Sequence, residues 1–382
     1  MKNKSKKQKR NVKIRNKTIK HRKDIIIPSK TSLKVRKLSN KIANKSYSPT
    51  INNELVTLKS IPRKELLDCN IESAFSLKEP LQIGIKGKLH NTKCVNYYTQ
   101  EAKKFLLKNL AADKHIDPNK IIPPIQAQSN CWFNVMFVSF FVSDKGRKFF
   151  HFLRQLMIEG KQQDGSVIPE KLRDAFALLN FCVDACLTGN EYAYKLNTNN
   201  IIHLLFNAIP KSYKQKNPFI VDVNQASNPL YYYMGIINYL NNSSIQTLFI
   251  PNASNKWKDV VVESVQQMTH FPHIIVVEIY DEMATEFNKK PLSFTVNNAK
   301  YQIDSASVRD IEKQHFCATI TCEGKEMGYD GNSFHRLVPL EWKHRMNSNV
   351  DWQFEGTNNH DGTPLKWNFM KSYQLLIYYR IK

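Results

Sequence analysis

The apolar pattern of this chain changes its period once, near residue 245, and that change constrains the fold more than any other feature. Between about residues 95 and 244 the apolar residues recur at helical spacing, in TQEAKKFLLKNLAAD, CWFNVMFVSFFV, GRKFFHFLRQLMIEG, PEKLRDAFALLNFCVDACLTG, NIIHLLFNAIP and PLYYYMGIINYLNN. Pro169 and Gly189 punctuate the start and end of the fourth as a helix. From 245 onward the runs IQTLFI, HIIVVEIY, LSFTV, KYQIDSASV, HFCATITC, KEMGYDG and YQLLIYYRI are short and rich in β-branched and aromatic residues, as strands are. Helices first and strands later predict an α+β fold, with a helical N-terminal half packed on a mostly antiparallel sheet from the C-terminal half. Residues 343–370 are polar and turn-rich and read as a long surface insertion before the last strand.

Charge is segregated as sharply as hydrophobicity. The net charge of the chain is +23, and residues 1–60 carry 19 Lys or Arg against two acids, Asp24 and Glu54. The remainder is only mildly basic. Residues 1–50 are expected to be a disordered basic tail, too polar to bury surface, and 51–94 a linker or poorly defined lead-in. Such a tail is a solvated extension, a nuclear-localisation signal or a polyanion anchor. Interleaved aromatics are missing from it, so any nucleic-acid contact through residues 1–50 would be electrostatic and blind to sequence.

No stretch reaches the roughly 18 apolar residues of a membrane span. The longest apolar run, Cys131 to Val142, is broken by Asn134 and Ser139. No membrane partner is expected, and the N-terminus lacks the apolar region of a secretory signal, so the reading is a soluble intracellular protein. Seven cysteines, an odd number in a long chain, argue against a disulfide framework. Cys182 and Cys186 lie four apart in what reads as a buried helix, with no second pair at ligand spacing, and no metal site is expected.

Three local features carry chemistry. In PPIQAQSNCWFNVMFVSFF two prolines and a polar stretch lead into Cys131, where an apolar helix begins. A cysteine at a helix N-terminus faces the positive end of the helix dipole and free backbone N–H groups, both of which favour a thiolate. The same N–H groups, with a nearby side-chain amide, can hold a developing oxyanion, and Gln126 is the first candidate amide, Gln128 the second. His315 opens a strand, and Asp330 ends the next one before Gly331. Singly, each has a plain reading: a buried cysteine, a structural histidine, an Asp–Gly turn. Together, HFCATITCEGKEMGYDG reads as a hairpin turning at Glu323-Gly324, which would set His315 beside Asp330. Nucleophile, base and orienting carboxylate are then all present.

The pattern resembles the ubiquitin-specific proteases of the papain-like superfamily. Trp132, Phe133 and Asn134 follow Cys131 as the aromatic and asparagine of the family's cysteine box do. His315-Phe316 and Tyr329-Asp330 match its histidine box, and FPHIIVVEIY (271–280) and YQLLIYYR (373–380) are similar to its flanking strands. The order cysteine, histidine, aspartate fits this family and not the adenain and SUMO-protease branch. Gln126 stands at the family's oxyanion asparagine; Gln128-Ser129-Asn130 replace Gly-Asn-Thr, Gln314 the glycine before the histidine, and Gly331 a second acid. The resemblance covers about 120–145 and 270–382.

It implies a papain-like cysteine protease fold over 95–382, with a helical lobe (95–244) and a sheet lobe (245–382). It also implies a thiol protease without cofactor, in which Cys131, His315 and Asp330 are catalytic and the partner is a protein substrate. The Lys/Asn/Ile-rich composition suggests an AT-rich genome, such as that of a large DNA virus. The substrate is then expected to be a ubiquitin-like conjugate or a viral structural precursor, and the setting the host cytoplasm or nucleus, or the virion. The alternative is a catalytically inactive protease fold or a DNA-associated structural protein anchored by its tail.

Overall fold

The computed structural model of the chain describes residues 67–69, 81–86 and 92–382, less 113–114, 163, 190, 243–245 and 288. The basic tail, 1–50, lies outside the described residues. The chain is a mixed helix-and-sheet fold. Helices α1 (Gln100–Ala112), α2 (Cys131–Phe141), α3 (Asp144–Phe149), α4 (His151–Glu159), α5 (Arg173–Thr188), α6 (Asn199–Ala208) and α7 (Pro229–Tyr239) fill the first half. The run expected as one helix over GRKFFHFLRQLMIEG is two, broken at Phe150, which closes α3 and opens α4.

The second half builds one sheet from β4 (Thr247–Ile250), β5 (Ile274–Ile279), β6 (Ser293–Val296), β7 (Ala299–Arg309), β8 (Phe316–Cys322), β9 (Lys325–Tyr329), β10 (Leu337–Pro339) and β11 (Gln374–Arg380). Their order is β10-β9-β8-β7-β11-β5-β4, with β6 hydrogen-bonded to the first half of β7. Every pairing is antiparallel except β4 with β5. A parallel pair needs a crossover, and here it is a helix, α8 (Trp257–Gln266), in a region expected to hold only strands. Strands β1 (Leu67–Asp68), β2 (Gln82–Lys86) and β3 (Thr92–Asn96) form a separate three-stranded sheet in the stretch expected as a lead-in. Cys94 of β3 is disulfide-bonded to Cys69, so the expectation of unpaired cysteines fails at that pair.

The large sheet is buried on both faces. Leu375, Ile377 and Tyr379 of β11 join the core shared with α2, α4 and α5, whereas Leu376 and Tyr378 join a second core on the other side. On the first side α2, apolar except for Asn134 and Ser139, is buried from Trp132 to Phe141, as the central helix of a core must be. On the second side Trp257, Val261 and Val265 of α8, at helical spacing, cover part of the sheet. The rest is covered by the segment read as a surface insertion. Met346, Trp352, Phe354, Leu365, Trp367 and Phe369 are all buried there, with Trp342 just before it. That expectation is corrected: 343–370 is a cover, irregular in backbone, because a sheet face lined with Ile303, Val308 and Leu376 must be shielded from water.

The β8–β9 hairpin turns at Glu323-Gly324, as expected. Cys322 pairs with Lys325, leaving a two-residue loop with φ of 46° at Glu323 and 75° at Gly324. Both values are left-handed, which the twist of a tight hairpin requires. Asp144 of α3 fastens the loop by accepting from Glu323 N (2.7 Å) and Gly324 N (3.0 Å). Gly324→Ala is expected to lower stability by about 1 kcal/mol, the approximate cost of a side chain in left-handed backbone. A shifted urea midpoint with unchanged slope is the readout.

Candidate active site

Asn130 precedes the first residue of α2 but does not cap it with its side chain. Instead its carboxamide turns inward. Oδ1 accepts from Ala127 N (3.0 Å) and Asn134 Nδ2 (3.3 Å), and Nδ2 donates to Thr198 Oγ1 (3.1 Å). Asn134 Nδ2 also donates to Ile125 O (3.0 Å), and its Oδ1 accepts from Thr198 Oγ1 (2.7 Å). This buried network holds the loop 125–130 against α2. It gives a physical reason for an asparagine three residues after Cys131. The first N–H groups of a helix have no partner within it, and no side chain caps them here. Cys131, half-buried, stands at that end.

The end of β9 docks the same loop from the other side. Tyr329 Oη donates to Pro124 O (2.8 Å), and Gln126 N donates to Gly331 O (2.9 Å). A Cβ on Gly331 would lie 2.7 Å from Gln126 N, so the backbones meet at a distance only glycine permits. That accounts for glycine where the resembled family carries a second acid. Arg336 Nη1 adds a bond to Pro123 O (2.8 Å).

His315 sits at the close of a tight loop built by Asp310. Asp310 Oδ1 accepts from Gln314 N (2.7 Å) and His315 N (2.5 Å), while Asp310 N donates to His315 O (2.8 Å). The imidazole is 5% exposed and its Nε2 lies 2.6 Å from Asp330 Oδ1. An ionised carboxylate can only accept, so Nε2 carries the proton. The Cys131 side chain bears on the same ring, and with Nε2 engaged, Nδ1 is the nitrogen left to face the sulfur. Trp367 meets the ring edge-on at 6.0 Å between centroids.

Asp330 is fully buried. Besides His315, its Oδ1 accepts from Asn332 N (3.0 Å) and its Oδ2 from Thr357 Oγ1 (2.5 Å). A buried carboxylate left short of donors is destabilising by several kcal/mol, and these three bonds prevent that. Burial by itself would push the His315 pKa down; the bond to Asp330 and the neighbouring Cys131 sulfur outweigh it and raise it to about 10.

The three residues singled out by sequence are thus brought together. Of the two amides, Gln126 is built into the loop by its backbone and its Nε2 donates to Gln128 O (2.8 Å), with the second amide hydrogen uncommitted. Gln128 is exposed at φ 58°, and its Oε1 accepts from Asn199 Nδ2 (3.2 Å) on α6. The other free thiols, Cys182, Cys186, Cys317 and Cys322, are buried. Burial pushes the Cys322 thiol up to about 12 and raises those of Cys182 and Cys317 well above the usual range. Sequence reasoning misses Asp310, Thr198 and Thr357. Only Asp310 leaves a trace, as an acid closing a strand five residues before the histidine.

No protein-family model matches the chain, and no curated protein matches it in sequence. Among solved structures it is similar to an essential yeast splicing factor, at 10% identity and a TM-score of 0.40, over 79% of this chain and 84% of that one. It is also similar to the SAGA DUB module bound to monoubiquitin, at 8% and 0.41 over 92% and 95% of the chains. The same module bound to ubiquitin aldehyde gives 9% and 0.42, over 94% and 96%.

A raised folded-state pKa stabilises the protein fully below the unfolded imidazole value, about 6.5. That contribution declines as pH rises and is lost through about 10. The stability gap between the parent and His315→Gln, measured by urea unfolding, should therefore shrink between pH 6.5 and 10.5. A gap that widens over that range would contradict the assignment.

Proposed function

We propose that this chain is a cysteine protease hydrolysing peptide or isopeptide bonds through an acyl-enzyme on Cys131. The observation that carries the reading is His315 hydrogen-bonded through Nε2 to the buried Asp330 carboxylate, with the half-buried Cys131 near enough to act on the same ring. A histidine so placed can hold the sulfur's proton, and Asp330 fixes its tautomer and steadies the imidazolium.

The steps follow from the geometry. His315 holds the Cys131 proton in a thiolate–imidazolium pair, and the thiolate attacks a substrate carbonyl carbon, forming a C–S bond and an oxyanion. The N–H groups at the start of α2 and the free amide hydrogen of Gln126 stabilise that charge. As the oxyanion collapses, the C–N bond breaks and His315 protonates the departing amine. Water then attacks the thioester, giving its proton to His315, and the thiol is restored. None of these steps calls for a cofactor.

For the substrate we favour a ubiquitin-like conjugate, on the strength of the cysteine and histidine boxes. A structural precursor assembled on nucleic acid is favoured only by the 19 basic residues of 1–60. A ubiquitin bearing a C-terminal electrophile separates them. Labelling at Cys131 supports the first, whereas inertness together with cleavage of a virion protein supports the second.

Cys131→Ala and His315→Ala are each expected to abolish turnover while the protein stays folded by circular dichroism. Turnover retained in either refutes the mechanism. Gly331→Ala forces a side chain against Gln126 N and should lower kcat/KM by about tenfold or more through displacement of the loop.

A further inference from the structure

Among the described residues the two most exposed large apolar side chains are Phe334, at 74%, and Tyr194, at 65%. Both are anchored to segments that build the site. Phe334 lies four residues beyond Asp330, in a turn closed by Ser333 Oγ donating to Asp330 O (2.9 Å). Its own N–H donates to Glu355 O (3.0 Å). The ring lies over Gly356, which has φ 88°, and a Cβ there would fall 2.6 Å from the ring. The next residue, Thr357, is the one that donates to Asp330. Phe334 is therefore seated on the two backbone segments that hold the carboxylate, with its outer face in water.

Tyr194 is tied to the same loop by one guanidinium. Arg336 Nη2 donates to Tyr194 O (2.6 Å), and Nη1 donates to Ala193 O (3.2 Å) and Pro123 O (2.8 Å). Tyr194 thus stands beside the segment 123–126 that leads to the nucleophile, and Phe334 beside the segments that hold the carboxylate. A ring held in water by a glycine seat gains nothing from folding on its outer face. It gains only when something apolar covers it.

We infer that Phe334 and Tyr194 form an aromatic lip that selects substrates carrying an apolar side chain within a few residues of the scissile bond. The inference rests on the protease reading. A polypeptide whose carbonyl reaches Cys131 advances about 3.3 Å per extended residue, so residues near the bond must pass over the walls of the site. An apolar pocket contact of this kind discriminates by roughly 10–200-fold.

The test uses tetrapeptide vinyl sulfones in two series, with Leu or Phe and with Ser or Asp at each position, read as second-order rates of Cys131 modification. The parent is expected to prefer the apolar series at one position by about tenfold or more. Phe334→Ala or Tyr194→Ala should reduce that ratio to within about twofold, and Phe334→Leu should restore part of it. Iodoacetamide, which needs no contact with the lip, reports the nucleophile separately. Absence of selective iodoacetamide reaction at Cys131 would overturn the protease reading itself. Selective reaction with an unchanged peptide ratio in the variants, or no preference in the parent, overturns the lip alone. So would a concentration-dependent dimer of the parent that Phe334→Ala disperses without altering peptide selectivity, since the lip's occupant would then be a second copy of the chain.

Discussion

A carboxylate shut away from water sets the geometry of the whole cleft. Asp330 has no exposed surface, and its donors come from three separate places in the chain: His315 before β8, Asn332 in the following turn, and Thr357 in the irregular cover. A charge in such a position is tolerated only when hydrogen-bonded. The β8–β9 hairpin, the turn after β9 and the 343–370 segment must therefore all be in place before the site is low in energy. The imidazole inherits its position from that requirement.

The same strand end places the nucleophile. Tyr329 and Gly331, on either side of Asp330, hold the backbone at Pro124 and Gln126, and the buried amide network of Asn130, Asn134 and Thr198 carries that placement into α2. Acid, base and thiol are thus referred to one short stretch, 329–331. Their separation in sequence, with Cys131 far from His315, is bridged by one hydrogen bond between backbones, Gln126 N to Gly331 O, and by bonds from the side chains of Tyr329, Asn130, Asn134 and Thr198.

Much of this is legible in the residues. The hairpin can be read because Glu323-Gly324 is a turn signal between two strand-length runs, and the pairing of His315 with Asp330 follows from it. The start of α2 is marked by the contrast between a polar lead-in and an unbroken apolar run. Other parts carry no such signal. The helix α8 contains Val260, Val261 and Val262, a β-branched run whose local preference is for strand. Burial of Trp257, Val261 and Val265 on the second face of the sheet overrides that preference. The cover has no period at all, since Trp352 and Trp367 are paired by an isolated bridge within irregular backbone. Its burial follows only from the tertiary need to shield the sheet. The bond from Thr357 to Asp330 spans two segments with no local relation, and β2, where Ile83 and Ile85 alternate with Gln82, Gly84 and Lys86, is a short run whose period sequence reasoning misses in a polar lead-in.

The central claim is that the Cys131 sulfur is chemically distinct because His315 and Asp330 lie behind it. Timed alkylation at pH 6 with limiting iodoacetamide, followed by peptide mapping, tests that claim most directly. At that pH an ordinary thiol is almost wholly protonated. The account predicts that Cys131 reacts far faster than free cysteine in the same solution, and that this excess disappears in Asp330→Ala. A Cys131 rate no greater than that of free cysteine, or an excess that survives the loss of Asp330, would contradict it.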